Sequence, residues 1–479
     1  MRPAENLQEA VNALQLEPLD ANDRFYANLS SARGSNDLAK LENRLREAAA
    51  NDHAKCHLGL RGHRGSGKST ELLRMEQRLS GVFFPVHLYL DQTLHSDADY
   101  PDLFLWLVEY LGRRLVEEKV PIDKEHLEKV AGWFAEVTKT QETGSEAKME
   151  VAAEAEASAK YGIFGTGLKL LARVKSAFIG STKRRLEMRE ELQRYAQELL
   201  TTVNSFLDHA SAALQKTEKP HRLLIVQDNL DRLDRKAAIK LFKDAGQILT
   251  DLHGTFVWTV PVGSHMPLFN VDNVLAVFDL PTIAVRDRHG DAEVKAIDGL
   301  TKLVANRLKI DLVFEEPDEE PDLVTEFILA SGGSVRDLLR LIESARLNAV
   351  VEKHTAIEAG DAHFAIKEFG LDLQKILIPS SVYFPILAEI AVSKQWKGHD
   401  SDGLTPDEAD ARRTFFHQLI LEGAVFAYNG DGLWYDVHPS LHHVVSFRAA
   451  CDQFCDTEKP AKKASSKAVK SHGQSTHKK

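Results

Sequence analysis

The stretch Cys56-His57-Leu58-Gly59-Leu60-Arg61-Gly62-His63-Arg64-Gly65-Ser66-Gly67-Lys68-Ser69-Thr70-Glu71-Leu72-Leu73-Arg74-Met75-Glu76 decides how the rest of the chain is read. Cys56 to Leu60 is a short apolar run that predicts a strand, and Glu71 to Glu76 opens a helix. Between them, Gly62 to Thr70 fits the phosphate-binding pattern G-x-x-x-x-G-K-[ST]. Gly62, Gly65 and Gly67 let the backbone turn its N–H groups toward phosphate oxygens without Cβ clashes. The helix start adds partial positive charge. Lys68 would neutralise the β- and γ-phosphates, and the Ser69 hydroxyl would ligate Mg2+. Arg64, Ser66 and Thr70 complete the loop around ATP.

Outward from this loop, apolar runs alternate with segments of helical period. Val82 to Leu90, Leu223 to Val226, Thr255 to Pro261 and Ala276 to Leu280 predict four further strands. Alternation of this kind predicts an α/β fold with a parallel sheet covered on both faces. About 130 residues separate the second and third strands, far more than an ordinary crossover, so a large helical insertion is expected at 95–218. Residues 1–54 are polar and predict a mostly helical N-terminal segment, and 291–370 predict a helical lid. In 371–456, two helical segments precede Ala424-Val425-Phe426-Ala427-Tyr428, Asn429-Gly430-Asp431-Gly432 and Leu433-Trp434-Tyr435-Asp436-Val437, a strong hairpin signal. Helices followed by a two-stranded hairpin predict a winged-helix domain. The tail 457–479, rich in Lys, Ser and Ala, is expected to be disordered.

The second chemical signal is Leu223-Leu224-Ile225-Val226-Gln227-Asp228-Asn229-Leu230-Asp231-Arg232. Asp228, at the strand end, is placed to hold Mg2+ through water; the competing reading has it cap the next helix. Asp231 is the candidate to position or deprotonate the attacking water, with the same alternative.

The phosphate loop, this strand end and Ser331-Gly332-Gly333-Ser334-Val335-Arg336-Asp337-Leu338-Leu339-Arg340 together resemble a P-loop ATPase of the AAA+/STAND group. The G-G-x-x-R-D-L run is similar to the lid of origin-recognition-type initiators, and the D-x-x-D-R ending resembles NACHT and KAP ATPases. The resemblance implies a P-loop NTPase sheet, with Arg336 reaching the γ-phosphate from the lid; otherwise Arg336 is a helix-surface residue. It implies a polar sensor near the end of the fourth strand, for which Thr259 or Ser264 qualifies. Asn229 stands where many such ATPases carry a catalytic Glu, which implies slow hydrolysis.

The full chain has 479 residues and a formal net charge of -11. Its composition is that of a globular protein, which excludes wholesale disorder. Three cysteines exclude a disulfide scaffold, and no apolar leader or membrane-length apolar run is present, so the expectation is a cytoplasmic protein. The charge is unevenly spread. Residues 157–186 hold seven basic residues and no acid, the tail 457–479 seven Lys and one Glu, and 371–456 six basic against twelve acidic residues. The acidic hairpin region therefore favours protein contact over DNA. Nucleic acid, if a partner, is expected at 157–186 or the tail; a membrane surface or an acidic partner at 157–186 is the alternative, as is an amphipathic helix packed on its own domain. Two functions follow. One is an ATP/ADP-dependent switch with homo-oligomer formation and a protein effector, in a bacterial signalling or defence module. The other is a DNA-binding initiator or loader ATPase.

Overall fold

The computed structural model describes residues 2–51, 55–90, 92–94, 97–138, 165–265, 271–315, 322–396, 404–429 and 432–456. The acidic block at 142–156, the first part of the basic stripe (157–164) and the tail 457–479 lie outside the described residues. The chain groups into two compact units: one of Asn36–Gly62 and Lys68–Leu280, the other of the residues up to Ser35, His63–Gly67 and everything from Pro281 on.

The first unit is built on five strands: β1 (Lys55–Arg61), β2 (Phe83–Tyr89), β3 (Arg222–Asp228), β4 (Gly254–Val260) and β5 (Ala276–Asp279). Their order is β2-β3-β4-β1-β5 and every pairing is parallel. All five coincide with the apolar runs within two residues at either end. A sheet buried on both faces reads as continuous apolar sequence rather than alternation, and Leu223 to Val226 are all buried. On one face, Leu41, Leu45, Leu72, Met75 and Leu79, from helices Asp37–Ala50 and Lys68–Leu79, pack with Leu58, Leu60, Leu224, Val226 and Val257. The large insertion packs with the rest of the sheet core.

Among its described residues, that insertion has helices Tyr100–Glu117, Lys124–Val137, Gly165–Gly180, Thr182–Arg194 and Ala196–Leu214. Leu168, Leu171, Val174 and Phe178 form the expected stripe and are buried with Phe104, Leu127 and Phe206; Phe164 lies outside the described residues. Each fully buried side chain of this size contributes about 1.5–3 kcal/mol. Two described basic residues of the stripe meet carboxylates elsewhere in the insertion. Lys175 pairs with Glu109 at 2.9 Å, and Arg185 with Asp97 at 3.3 Å.

In the second unit, helices Val294–Ala305, Leu323–Ala330, Val335–Glu352 and Ala359–Ile376 share a core. Helices Ser380–Ser393 and Pro406–Leu421 follow, then β6 (Val425–Tyr428) and β7 (Trp434–Val437), paired antiparallel. Of the expected hairpin turn, Gly430 and Asp431 lie outside the described residues. The N-terminal segment is less helical than its sequence suggests. Before Asp37–Ala50, helix is confined to Ala10–Ala13 and Ser30–Arg33. Turn-forming Pro18, Asp20, Asn22 and Asp23 interrupt it, and Ala4 bridges to Leu308 in parallel instead. No described helix is long and apolar enough to cross a membrane.

Candidate functional site

In a parallel sheet, ligands bind outside the carboxyl ends of the strands. Those ends in the first unit carry most of the sequence candidates. Lys68 and Ser69 begin the helix that follows β1, Asp228 ends β3, and Thr259 sits one residue before the end of β4. The Ser69 hydroxyl donates to Asp228 Oδ2 at 2.5 Å. Lys68 Nζ donates to the Gly62 carbonyl at 2.7 Å and pairs with Asp231 Oδ2 at 2.9 Å. Both partners of that pair are buried, 5% and 6% exposed at their side chains. Thr70 lies half-buried in the first turn of the helix.

Asp228 is 1% exposed. Burial pushes its carboxyl up, but contacts from His87, the Ser69 hydroxyl and the Asn229 amide outweigh that and hold it below the usual range. His87 and Glu76 are the residues that sequence reading missed. His87 Nδ1 donates to Glu76 at 2.5 Å, and its Nε2 lies 3.5 Å from Asp228 Oδ2. Burial lowers the His87 pKa, yet the two carboxylates overcome it and raise it to about 9. A signal exists in the sequence. His87 is a polar intrusion in an apolar strand, and Glu76 falls on the same helix face as Leu72, Met75 and Leu79.

Thr259 does not point its hydroxyl at open space. Its Oγ1 accepts from the Leu230 amide at 3.0 Å and holds the turn that carries Asp231. Asn229 makes that turn with φ +67, a conformation Asn tolerates better than most residues. Ser264, the alternative, is fully buried, and its Oγ has no hydrogen-bond partner among the described residues.

The second unit holds the middle of the phosphate loop and Arg336. Gly65 has φ +84, and a Cβ there would lie 2.8 Å from Arg336 Cβ. The Arg336 amide donates to the Gly65 carbonyl at 3.3 Å. The turn before Arg336 is equally demanding: a Cβ on Gly333 would lie 1.7 Å from the Ile283 carbonyl oxygen. Glycine is required there on steric grounds. Ser334 caps the helix Val335–Glu352, as its position predicts. Arg64, exposed at the loop, lines a cavity of about 200 Å3 with Arg336, Arg340, Asp337, Phe369 and Glu422. Arg340 lies 5.0 Å over the Phe369 ring.

The strand-end residues of the first unit suit a phosphate with Mg2+. Lys68 supplies a cation, and Ser69 with Asp228 an oxygen donor set for a hard metal. Ser66 Oγ is buried with no hydrogen-bond partner among the described residues, an atom that a phosphate oxygen would satisfy.

No protein-family model matches the sequence, and no curated protein does. Solved structures give fold likeness at low identity. The ORC2 protein of Aeropyrum pernix, solved as ADPNP-ADP complexes, is similar at 12% identity and TM-score 0.40, over 88% of this chain and 93% of that one. The Walker-type ATPase of Pyrococcus abyssi is similar at 12% identity and TM-score 0.40, over 91% and 99%. The ORC1 protein of Aeropyrum pernix in complex with DNA is similar at 13% identity and TM-score 0.38, over 92% and 95%. Likeness at this level does not extend to residues or activity, which rest on the geometry above.

Proposed function

We propose that the chain binds ATP with Mg2+ on Gly62–Thr70 and acts as a slow ATPase switch of AAA+/STAND type. The observation that carries this reading is the convergence of Lys68, Ser69, Asp228 and Asp231 at the strand ends. Ser69 and Asp228 would hold the metal, whose charge would offset that of the phosphates. Lys68 neutralises the β- and γ-phosphates. Asp231 exchanges its Lys68 contact for the attacking water and accepts its proton. Arg336, anchored on Gly65, reports the γ-phosphate to the helical lid of 291–370. The helices and hairpin of 371–456 act as a winged helix that changes seat with the nucleotide, and a protein effector or a further copy of the chain reads the change.

The test is solution size and shape with ADP, with ATP and with a non-hydrolysable ATP analogue. Assembly or a change of shape that distinguishes ATP from ADP is expected. A monomer unchanged in all three contradicts the switch.

A DNA-binding initiator or loader shares the phosphate site and differs in its partner. In the hairpin region, Arg412 pairs with Glu389 at 3.5 Å and Arg413 with Asp410 at 3.8 Å, so neither guanidinium is reserved for a phosphate backbone. Duplex binding that falls steeply with salt would favour that second reading.

A further inference from the structure

We propose that His63 is a positioning residue that ties the shape of the phosphate loop to the seat of the hairpin β6–β7, so that nucleotide on the loop and docking of the hairpin strengthen each other. The inference rests on the reading of Gly62–Thr70 as a nucleotide site. Phosphate chemistry fixes the glycines, the lysine and the hydroxyl of the motif, and leaves the four intervening residues free. His63 is one of these, yet it is only 4% exposed. Its Nε2 accepts the Ala427 amide of β6 at 2.7 Å, and its ring stands edge-on to Phe426 at 5.5 Å.

The contact is part of a closed circuit within the second unit. The Gly65 carbonyl accepts from the Arg336 amide, and the Ser66 carbonyl accepts from the Arg33 guanidinium at 2.5 Å. The Tyr428 hydroxyl donates to the Gly332 carbonyl at 2.7 Å, and a Cβ on Gly332 would lie 2.7 Å from the Phe426 ring. Loop, glycine turn and hairpin therefore cannot vary independently. Phosphate binding needs the loop amides to converge, so tilting the peptide planes from His63 to Ser66 changes both phosphate affinity and the acceptor offered to Ala427. Linkage makes the effect reciprocal: whatever factor hairpin docking adds to nucleotide affinity, nucleotide adds to docking.

The test combines titration of a fluorescent ATP analogue, with Mg2+, and amide exchange of the segment 424–429 with and without ATP. In the unaltered chain, ATP is expected to slow exchange of that segment about fivefold or more. His63→Phe keeps a ring beside Phe426 but leaves the Ala427 amide without its acceptor; nucleotide affinity is expected to fall about tenfold and the ATP-dependent protection to vanish. His63→Gln, whose amide oxygen can accept, restores both. Ala427→Pro removes the donor without touching the loop and reproduces the affinity loss of His63→Phe. Unaltered affinity and protection in His63→Phe overturn the proposal, as does a His63→Gln variant no better than His63→Phe. Should the variants not fold, the unaltered chain decides: ATP binding that leaves 424–429 unprotected overturns the coupling alone. No ATP binding at all overturns the site reading and the coupling with it.

Discussion

At the scale of single residues, the decisive contact is the buried pair of Lys68 and Asp231. A phosphate that approaches Lys68 competes with this carboxylate. Asp231→Asn removes one carboxylate from a buried ion pair, which costs about 3–5 kcal/mol, and bound phosphate supplies a replacement charge. The variant is therefore expected to melt earlier than the unaltered chain and to gain a larger thermal shift from ATP with Mg2+. An equal or smaller shift would remove Asp231 from competition for Lys68. Turnover is expected to slow more in Asp231→Asn than in Asn229→Ala, since the Asn229 side chain lies outside the contacts that hold Asp231. The loop, Asp228 and Asp231 could be picked out as candidates because each belongs to a local spacing. Glu76 and His87 were not, because His87 meets Asp228, far along the chain, only through the parallel pairing of β2 with β3, and Glu76 is tied to the site only through His87.

At the scale of elements, strand β1 carries a half-buried histidine in a defined protonation state. His57 Nε2 donates to the Leu252 carbonyl at 2.9 Å, and its Nδ1 accepts from the Trp258 indole at 3.4 Å, so the ring is neutral. Burial, only partly offset by that carbonyl, lowers its pKa to about 4. The unfolded chain takes up this proton near pH 6.5 and the folded chain only near pH 4. Stability from this group is thus full above pH 6.5 and is lost as pH falls toward 4, by on the order of 3 kcal/mol. In urea titrations at pH 7 and pH 4.5, His57→Phe is expected to lose less stability than the unaltered chain; equal losses would contradict the assignment. The helix Gly165–Gly180 gives a second test. Phe178 is fully buried and edge-on to Trp106 at 5.8 Å, so Phe178→Ala is expected to cost about 3–5 kcal/mol. Leu186→Ala, on the exposed side of the next helix, is expected to stay within about 0.5 kcal/mol. Similar costs for the two would mean that the stripe is not core. The stripe itself was legible from period alone. The fate of its charges was not, because Glu109 and Asp97 lie far from Lys175 and Arg185 in sequence. Short elements also escaped sequence reading: nothing local announces that Ala4 pairs with Leu308 rather than starting a helix.

At the scale of the whole molecule, five apolar runs were enough to give the parallel sheet, while the way loop and hairpin meet was not written in either segment. The residues His63–Gly67 group with the C-terminal residues, whereas Gly62 and Lys68 group with the sheet. The formal charge of -11 also gains definition. Basic residues of the insertion that are described are committed in part to internal carboxylates, and the hairpin region is acidic. The central claim remains that Gly62–Thr70 holds ATP. Equilibrium titration of a fluorescent ATP analogue with Mg2+, on the unaltered chain and on Lys68→Ala, tests it most directly. Saturable binding by the unaltered chain, weakened about 100-fold or more in Lys68→Ala, is the predicted result; no binding by the unaltered chain, or equal binding by both, would contradict the account.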